Sequence, residues 1–159
     1  MKFISLLFGF SGRITRRQWW HGHLFWLGAI FALVFFSGLT NLLAWLPRDA
    51  SRAAYQFTLA TGLPILVSTA TMHARRLADC GIPPVLGYIH AILVGVSVAM
   101  NPLEGIEASQ QLSVLRSAIE WVAAIAALPL FLVNAFLPGT IGDNAYGPDP
   151  LLPDLAPTT

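Results

Sequence analysis

The sequence predicts an all-α integral membrane protein: a bundle of four transmembrane helices, with a short N-terminal interfacial helix and a Gly/Pro-rich C-terminal loop. Three observations carry that expectation. Of the 159 residues, 55% are apolar and only 11% are charged, whereas a soluble domain uses about a quarter charged residues to cover its surface. The mean hydropathy is positive, +0.65. Uncharged runs long enough to cross a hydrocarbon layer as helices recur along the chain. One domain is expected over residues 1–150, followed by a disordered Pro-rich tail at 151–159.

Met1 to Phe10 is too short for a signal peptide with its own basic region and apolar core. It holds Phe3, Ile4, Leu6, Leu7, Phe8 and Phe10, which suits a segment lying on the inner leaflet. The first span is expected over residues 21–46, an uncharged run with Trp19 and Trp20 at one end and Trp45 at the other, as in an aromatic belt. The second, over 53–72, carries Thr58, Thr61, Ser68, Thr69 and Thr71. Hydroxyls in lipid need partners, so this helix is expected inside the bundle. The third, over 85–100, follows Pro83 and Pro84, where proline suits a first helical turn. The fourth, over 118–137, is interrupted by Pro129. For the third and fourth runs a hairpin that does not cross is the competing reading. Gly87, Ala91, Gly95 and Ala99 recur every fourth residue and form a stripe that lets a neighbouring backbone approach; Gly28 and Ala32 offer a similar patch.

Charge sets the orientation. With the N-terminus inside, the inner segments hold Lys2, Arg13, Arg16, Arg17, Arg75 and Arg76, and the outer loops hold Arg48, Arg52 and Arg116 together with the acidic Glu104 and Glu107. Basic residues concentrate on the cytoplasmic side of short loops, so both termini are expected there. A formal net charge of +1 argues against nucleic acid, which wants a broad basic patch. The single cysteine, Cys80, excludes an internal disulfide and a multi-cysteine metal site.

Three polar segments then share the cytoplasmic side. The first is Gly12-Arg13-Ile14-Thr15-Arg16-Arg17-Gln18-Trp19-Trp20, whose arginines suit anionic headgroups or a plain positive-inside anchor. The second is Ala74-Arg75-Arg76-Leu77-Ala78-Asp79-Cys80-Gly81. Either Arg75 or Arg76 can face Asp79 on a helix, and Gly81 with Pro83 would stop that helix. The third, Pro138 to Pro150, is dense in turn formers and holds Asn144, Tyr146 and Asp149. Its glycines would let backbone N–H groups approach an anion, but it lacks the lysine and spacing of a P-loop. The expected binding residues are therefore Arg13, Arg16, Arg17, Arg75, Arg76, Asp79, Asn144, Tyr146 and Asp149, with Arg75 and Arg76 bridging toward Asp143 or Asp149.

At these segments the chain resembles a bacterial inner-membrane family, domain of unknown function 805, the YhaH-like proteins. The matching positions are Gly12, Arg13, Arg16, Arg17 and Trp20; Arg75, Arg76, Leu77, Asp79 and Gly81; and Gly139, Thr140, Gly142, Asn144, Tyr146, Gly147 and Asp149. The resemblance implies a multi-span fold in the bacterial inner membrane and supplies no activity. Ala78 stands where the family pattern has His, and Ile82-Pro83-Pro84 replaces a Ser-Gly-aromatic stretch.

Within the spans, His73, His90 and Asn134 are the polar candidates, as functional groups or as hydrogen-bonded glue. The functional expectation is a binding or scaffold module holding an anionic lipid headgroup or a protein partner, with a homo-oligomer as a further option and no cofactor, metal or catalytic residue assigned. A small channel or carrier with kinked spans is the alternative, weakened because the spans hold no carboxylate apart from Glu120 at the outer end of the fourth. A lipid-modifying enzyme using the cytoplasmic aspartates is third: Asp79, Asp143, Asp149, His73 and Cys80 show no recognisable ligand spacing. Cys80 lies near Arg75 and Arg76, which would lower its pKa.

Overall fold

The computed structural model describes residues 3–42, 50–100 and 110–151, and every regular element among them is helical. α1 spans Phe3–Phe8, α2 Arg16–Leu42, α3 Ala50–Asp79, α4 Val85–Ala99 and α5 Gln110–Phe136. The interfacial segment becomes α1, and the runs at 21–46, 53–72, 85–100 and 118–137 fall on α2 to α5 in order. Lys2, Trp45, Arg48, the loop with Glu104 and Glu107, and the tail after Leu151 lie outside the described residues. Of the described helices, one segment, Gln111–Phe136, is long and apolar enough to cross a membrane; Val85–Ala99 is apolar but shorter.

Local chemistry explains the helix ends. Thr15 and Gln18 form a capping box at the start of α2: the Gln18 N–H donates to Thr15 Oγ1 at 3.2 Å and the Thr15 N–H to Gln18 Oε1 at 2.8 Å. That reciprocal pair satisfies two of the N–H groups a helix start leaves open. α3 runs past its apolar stretch to Asp79 and ends in a Schellman turn. Gly81 sits at φ +73°, the Ile82 N–H returns to the Leu77 carbonyl at 2.9 Å and the Gly81 N–H to Ala78 at 3.1 Å, the paired bonds of that motif.

α3 is the central helix and packs against each of the other four. Of the hydroxyls expected inside the bundle, Ser68 and Thr71 are buried and Thr61 and Thr69 half-buried, while the Thr58 side chain lies outside those described. Ser68 accepts from Trp26 Nε1 at 2.8 Å and Thr71 donates to the Leu7 carbonyl of α1 at 2.9 Å. On the other side, Gly87 and Ala91 of α4 are buried against α3, and Gly95 meets Leu66. The stripe ends there, because Ala99 is exposed. Gly28 and Ala32 are exposed on α2 and form no packing patch.

An apolar core of Leu6, Leu7, Ile14, Trp19, Met72 and Ala135 fills the end of the bundle where α1, the start of α2 and the ends of α3 and α5 meet. Trp19, expected at an aromatic belt, is fully buried in it. Away from that end the surface is apolar: Leu24, Phe31, Ile92, Ile125 and Leu128 are all exposed.

A Cβ added at Gly87 would stand 2.8 Å from the Ala74 backbone nitrogen, and backbone cannot yield as a side-chain tip does. Gly87→Ala is therefore expected to destabilise by about 1–3 kcal/mol through overpacking. Gly28→Ala, in open space, should be neutral or stabilise by up to about 1 kcal/mol through helix propensity. Equilibrium unfolding in detergent distinguishes them, and equal behaviour of the two variants contradicts the packing argument.

Candidate functional site

The three polar segments meet at Asp79, in the last turn of α3. Its carboxylate takes Arg13 Nε at 3.1 Å and Arg13 Nη2 at 3.0 Å on Oδ1, while Arg76 Nη1 bonds Oδ2. Arg13, Arg76 and Asp79 are buried to 4% exposure or less. Stripping an ion of water costs several kcal/mol, so such a group persists only when its hydrogen bonds are filled. Arg13 fills the rest of its fork on the C-terminal loop, donating to the carbonyls of Thr140 at 2.5 Å, Gly142 at 2.7 Å and Gly147 at 3.3 Å, and to Thr140 Oγ1 at 3.0 Å.

Arg76 serves a second purpose. The last carbonyls of a helix have no partner of their own, and at the end of α5 side chains from the first two segments supply one each. Arg76 Nε donates to the Asn134 carbonyl at 3.1 Å, and its Nη2 to Leu137. Trp20 Nε1 reaches the Ala135 carbonyl at 3.4 Å and Arg16 Nη1 the Phe136 carbonyl at 3.3 Å. Cations at a helix C-terminus also oppose its dipole. Arg75 turns the other way and does the same for α1, donating to the carbonyls of Ser5 at 2.9 Å and Leu6 at 3.3 Å.

The C-terminal loop is locked onto α3 by backbone and side chain together. The Thr140 N–H donates to the Asp79 carbonyl at 2.7 Å, and Asn144 Nδ2 donates to the Ala78 carbonyl at 2.9 Å and to Thr140 Oγ1 at 2.8 Å. Gly139 crosses so close that a Cβ there would overlap the Asp79 carboxylate. Asp149 closes the loop on itself, accepting from the Gly142 N–H at 2.7 Å and the Leu151 N–H at 2.9 Å.

The expected bridge from Arg75 and Arg76 to Asp143 or Asp149 is therefore replaced. Arg76 takes Asp79, one helical turn away, Arg75 takes α1, and Asp143 accepts the Asp149 N–H at 3.1 Å. Burial pushes the Asp79 carboxyl up, and the Arg13 hydrogen bond with the Arg76 and Arg13 charges pulls against it. Burial likewise pushes the Cys80 thiol up, outweighing the Arg76 charge, so the arginine-activated thiol is not formed.

Of the expected binding residues, Arg13, Arg75, Arg76, Asp79 and Asp149 are buried among protein partners, and Asn144 and Tyr146 are half-buried. The Tyr146 N–H closes a turn on Asn144 Oδ1 at 2.9 Å. Arg16 and Arg17 are exposed. They line a cleft of about 440 Å³ whose other walls include Thr15, Arg76, Asp79, Gly139 and Thr140.

A family described as a protein of unknown function, DUF805, matches residues 7–148, a stretch that takes in the first two segments and the third as far as Pro148. The chain belongs to that family. No curated protein and no solved structure matches it. The interlocking residues Arg13, Arg76, Asp79, Thr140 and Asn144 all lie within the matched stretch. Sequence reasoning left Gly139, Thr140, Gly142 and Asn134 out of the site. The first three lay in view in the third polar segment, whereas Asn134 was expected as hydrogen-bonded glue within the fourth span and not as a partner of Arg76.

In this DUF805 chain, Asp79→Asn leaves two buried guanidiniums without their shared anion. The expected loss is about 3–5 kcal/mol, the cost of breaking a buried pair from one side, against a smaller loss for Glu120→Gln at the half-exposed Arg116–Glu120 pair. Unfolding in detergent measures both. Acid gives a second test. The Leu151 and Gly142 N–H groups hold the Asp149 carboxyl below the usual range. A lowered folded-state pKa stabilises above the unfolded value of about 3.9 and loses that stabilisation as pH falls through the folded value. Amide protection in residues 139–151, taken relative to the intrinsic exchange rate at each pH, is expected to fall below about pH 4, and Asp149→Asn should abolish that acid step.

Proposed function

We propose that this chain is a multi-span binding module of the bacterial inner membrane, with α2 to α5 crossing the bilayer and both termini on the cytoplasmic side. The exposed apolar side chains along α2, α4 and α5 support the first part. For the orientation, Arg13, Arg16, Arg17, Arg75 and Arg76 all gather at the end of the bundle where α1 and the 139–151 loop lie, consistent with the bias of basic residues to the cytoplasmic face. α1 rests there with Phe3 and Ile4 exposed and Leu6 and Leu7 buried, the arrangement of a helix lying in the interface.

The ligand we assign to the cleft is an anionic lipid headgroup. The observation that carries this is the position of Arg16 and Arg17, exposed beside a cleft whose own carboxylates are already satisfied, Asp79 by two guanidiniums and Asp149 by backbone N–H groups. A planar guanidinium pairs with phosphate oxygens in a two-point fork. Ile141, 99% exposed, and Leu151, 76% exposed, stand on the rim and offer apolar contact to the glycerol and acyl portion of a lipid.

Native mass spectrometry of the detergent-extracted protein tests the reading. Wild type is expected to retain phosphatidylglycerol or cardiolipin, and Arg16→Ala/Arg17→Ala to lose it while staying folded, with a small drop in its unfolding midpoint from the lost Arg16 bond to Phe136. Arg116→Ala, on the opposite end of α5, should keep the lipid. Equal retention by wild type and the double variant, or a lipid-free wild type, would overturn the assignment.

A further inference from the structure

A second polar cluster lies deeper in the bundle, away from the cleft. His23 of α2 and His73 of α3 face each other with Nε2 atoms 3.2 Å apart. His23 Nδ1 lies 3.0 Å from the Trp19 carbonyl. A carbonyl only accepts, so His23 carries its proton on Nδ1 and turns the Nε2 lone pair to His73. His73 then donates from Nε2, and its Nδ1 accepts from Asn134 Nδ2 of α5 at 3.3 Å. Trp19 stacks on the His23 ring, centroids 3.8 Å apart, and fixes its plane. His90 of α4 stacks on the far side of the cluster, 6.3 Å from His73 between centroids. A cavity of about 220 Å³, lined by Leu66, Thr69, His73, Gly87, His90 and Val94, opens between α3 and α4.

We propose that His23 and His73 bind a late-transition metal ion of the zinc or copper class within the helix bundle. Three observations converge on this. Two imidazoles bonded at about 2.0–2.1 Å to one tetrahedral ion stand about 3.3 Å apart, close to the 3.2 Å between these Nε2 atoms. A ring whose Nδ1–H is held by a backbone carbonyl is the usual supporting arrangement for an Nε2 ligand, and His23 has it. The third observation is Asn134 Oδ1, buried without a protein hydrogen-bond partner on the amide that meets His73 Nδ1.

That oxygen matters because His73 must change tautomer to bind. Its N–H bond at Nε2 breaks, one forms at Nδ1, and the proton count of the ring is unchanged. The new Nδ1–H needs an acceptor, and rotation of the Asn134 amide brings Oδ1 to it. Among the described residues no three His, Cys, Asp or Glu side chains converge, so the protein would supply two ligands and water the rest of the shell, with space for it in the cavity that opens on the His73 side of the pair. Each water's share of volume is about 30 Å³, so the cavity has ample room. Imidazole donors without a carboxylate suit zinc or copper, whereas magnesium and calcium want oxygen.

The test uses the full chain purified without a polyhistidine tag, titrated with Co2+ as a visible probe and then with Zn2+ in competition. Wild type is expected to bind one equivalent of Co2+, displaced by Zn2+. His23→Gln and His73→Gln should abolish binding, and Asn134→Ala should weaken it about 10–100-fold as loss of a supporting partner does. His21→Ala and Cys80→Ser should bind as wild type. Absence of binding to wild type overturns the proposal, and that result does not depend on any variant folding. Binding that survives in His23→Gln, or that disappears in His21→Ala or Cys80→Ser, also overturns it.

Discussion

The end of α5 is the constraint on which the rest of the molecule depends. A helix end leaves carbonyls without intrahelical partners, and one left unfilled on a buried residue, as at Asn134 and Ala135, is costly. Here Arg76, Trp20 and Arg16 meet them from two other segments. Placing Arg76 there buries a positive charge, which calls for Asp79. A single carboxylate has lone pairs to spare, and Arg13 occupies them while gathering the Thr140, Gly142 and Gly147 carbonyls. The C-terminal loop is thereby ordered by a chain of necessities that begins with a helix terminus.

That chain divides the arginines into two kinds. Arg13, Arg75 and Arg76 direct their donors to carbonyls and a carboxylate of the protein, and they are buried. Removing one would loosen the fold before it altered any ligand. Arg16 and Arg17, at the start of α2, stand outside the interlock apart from the Arg16 bond to Phe136, so a headgroup can meet them without disturbing the ion triad. The triad matters to the cleft all the same, because it removes the repulsion that a bare Asp79 would present to an anion.

Much of this was legible in the residues. Helical periods, the Thr-rich face of α3, the stop at Gly81 and the Arg76–Asp79 spacing follow from local rules that hold whatever the neighbours are. So does the Thr15–Gln18 capping box, a short-range pattern that went unread in the sequence. The partners of Arg13 and Arg75 were not legible, because they are backbone carbonyls distant in sequence, and a carbonyl leaves no mark in residue identity. The bridge expected to Asp143 or Asp149 erred for that reason: it counted only charged side chains as acceptors. Trp19 was misplaced because a Trp at the end of an apolar run reads the same whether it faces an interface or stacks on a histidine. His23 carries no mark of its role in the sequence, because its partner His73 lies 50 residues away on another helix.

Asn134 joins the two polar regions, and the way it does so keeps them separable. Its carbonyl accepts from Arg76 and belongs to the interlock, while its side-chain amide meets His73. Turning the amide to offer Oδ1 to His73 rotates a side-chain torsion and leaves the backbone carbonyl in place. The amide also donates to the Leu130 carbonyl at 2.6 Å, a bond that such a rotation gives up. Ion binding at the histidine pair thus competes with one local hydrogen bond in α5 and leaves the Arg76 anchor intact. The proposed headgroup cleft at Arg16 and Arg17 and the proposed ion site at His23 and His73 would thus share the end of α5, with Asn134 touching both regions.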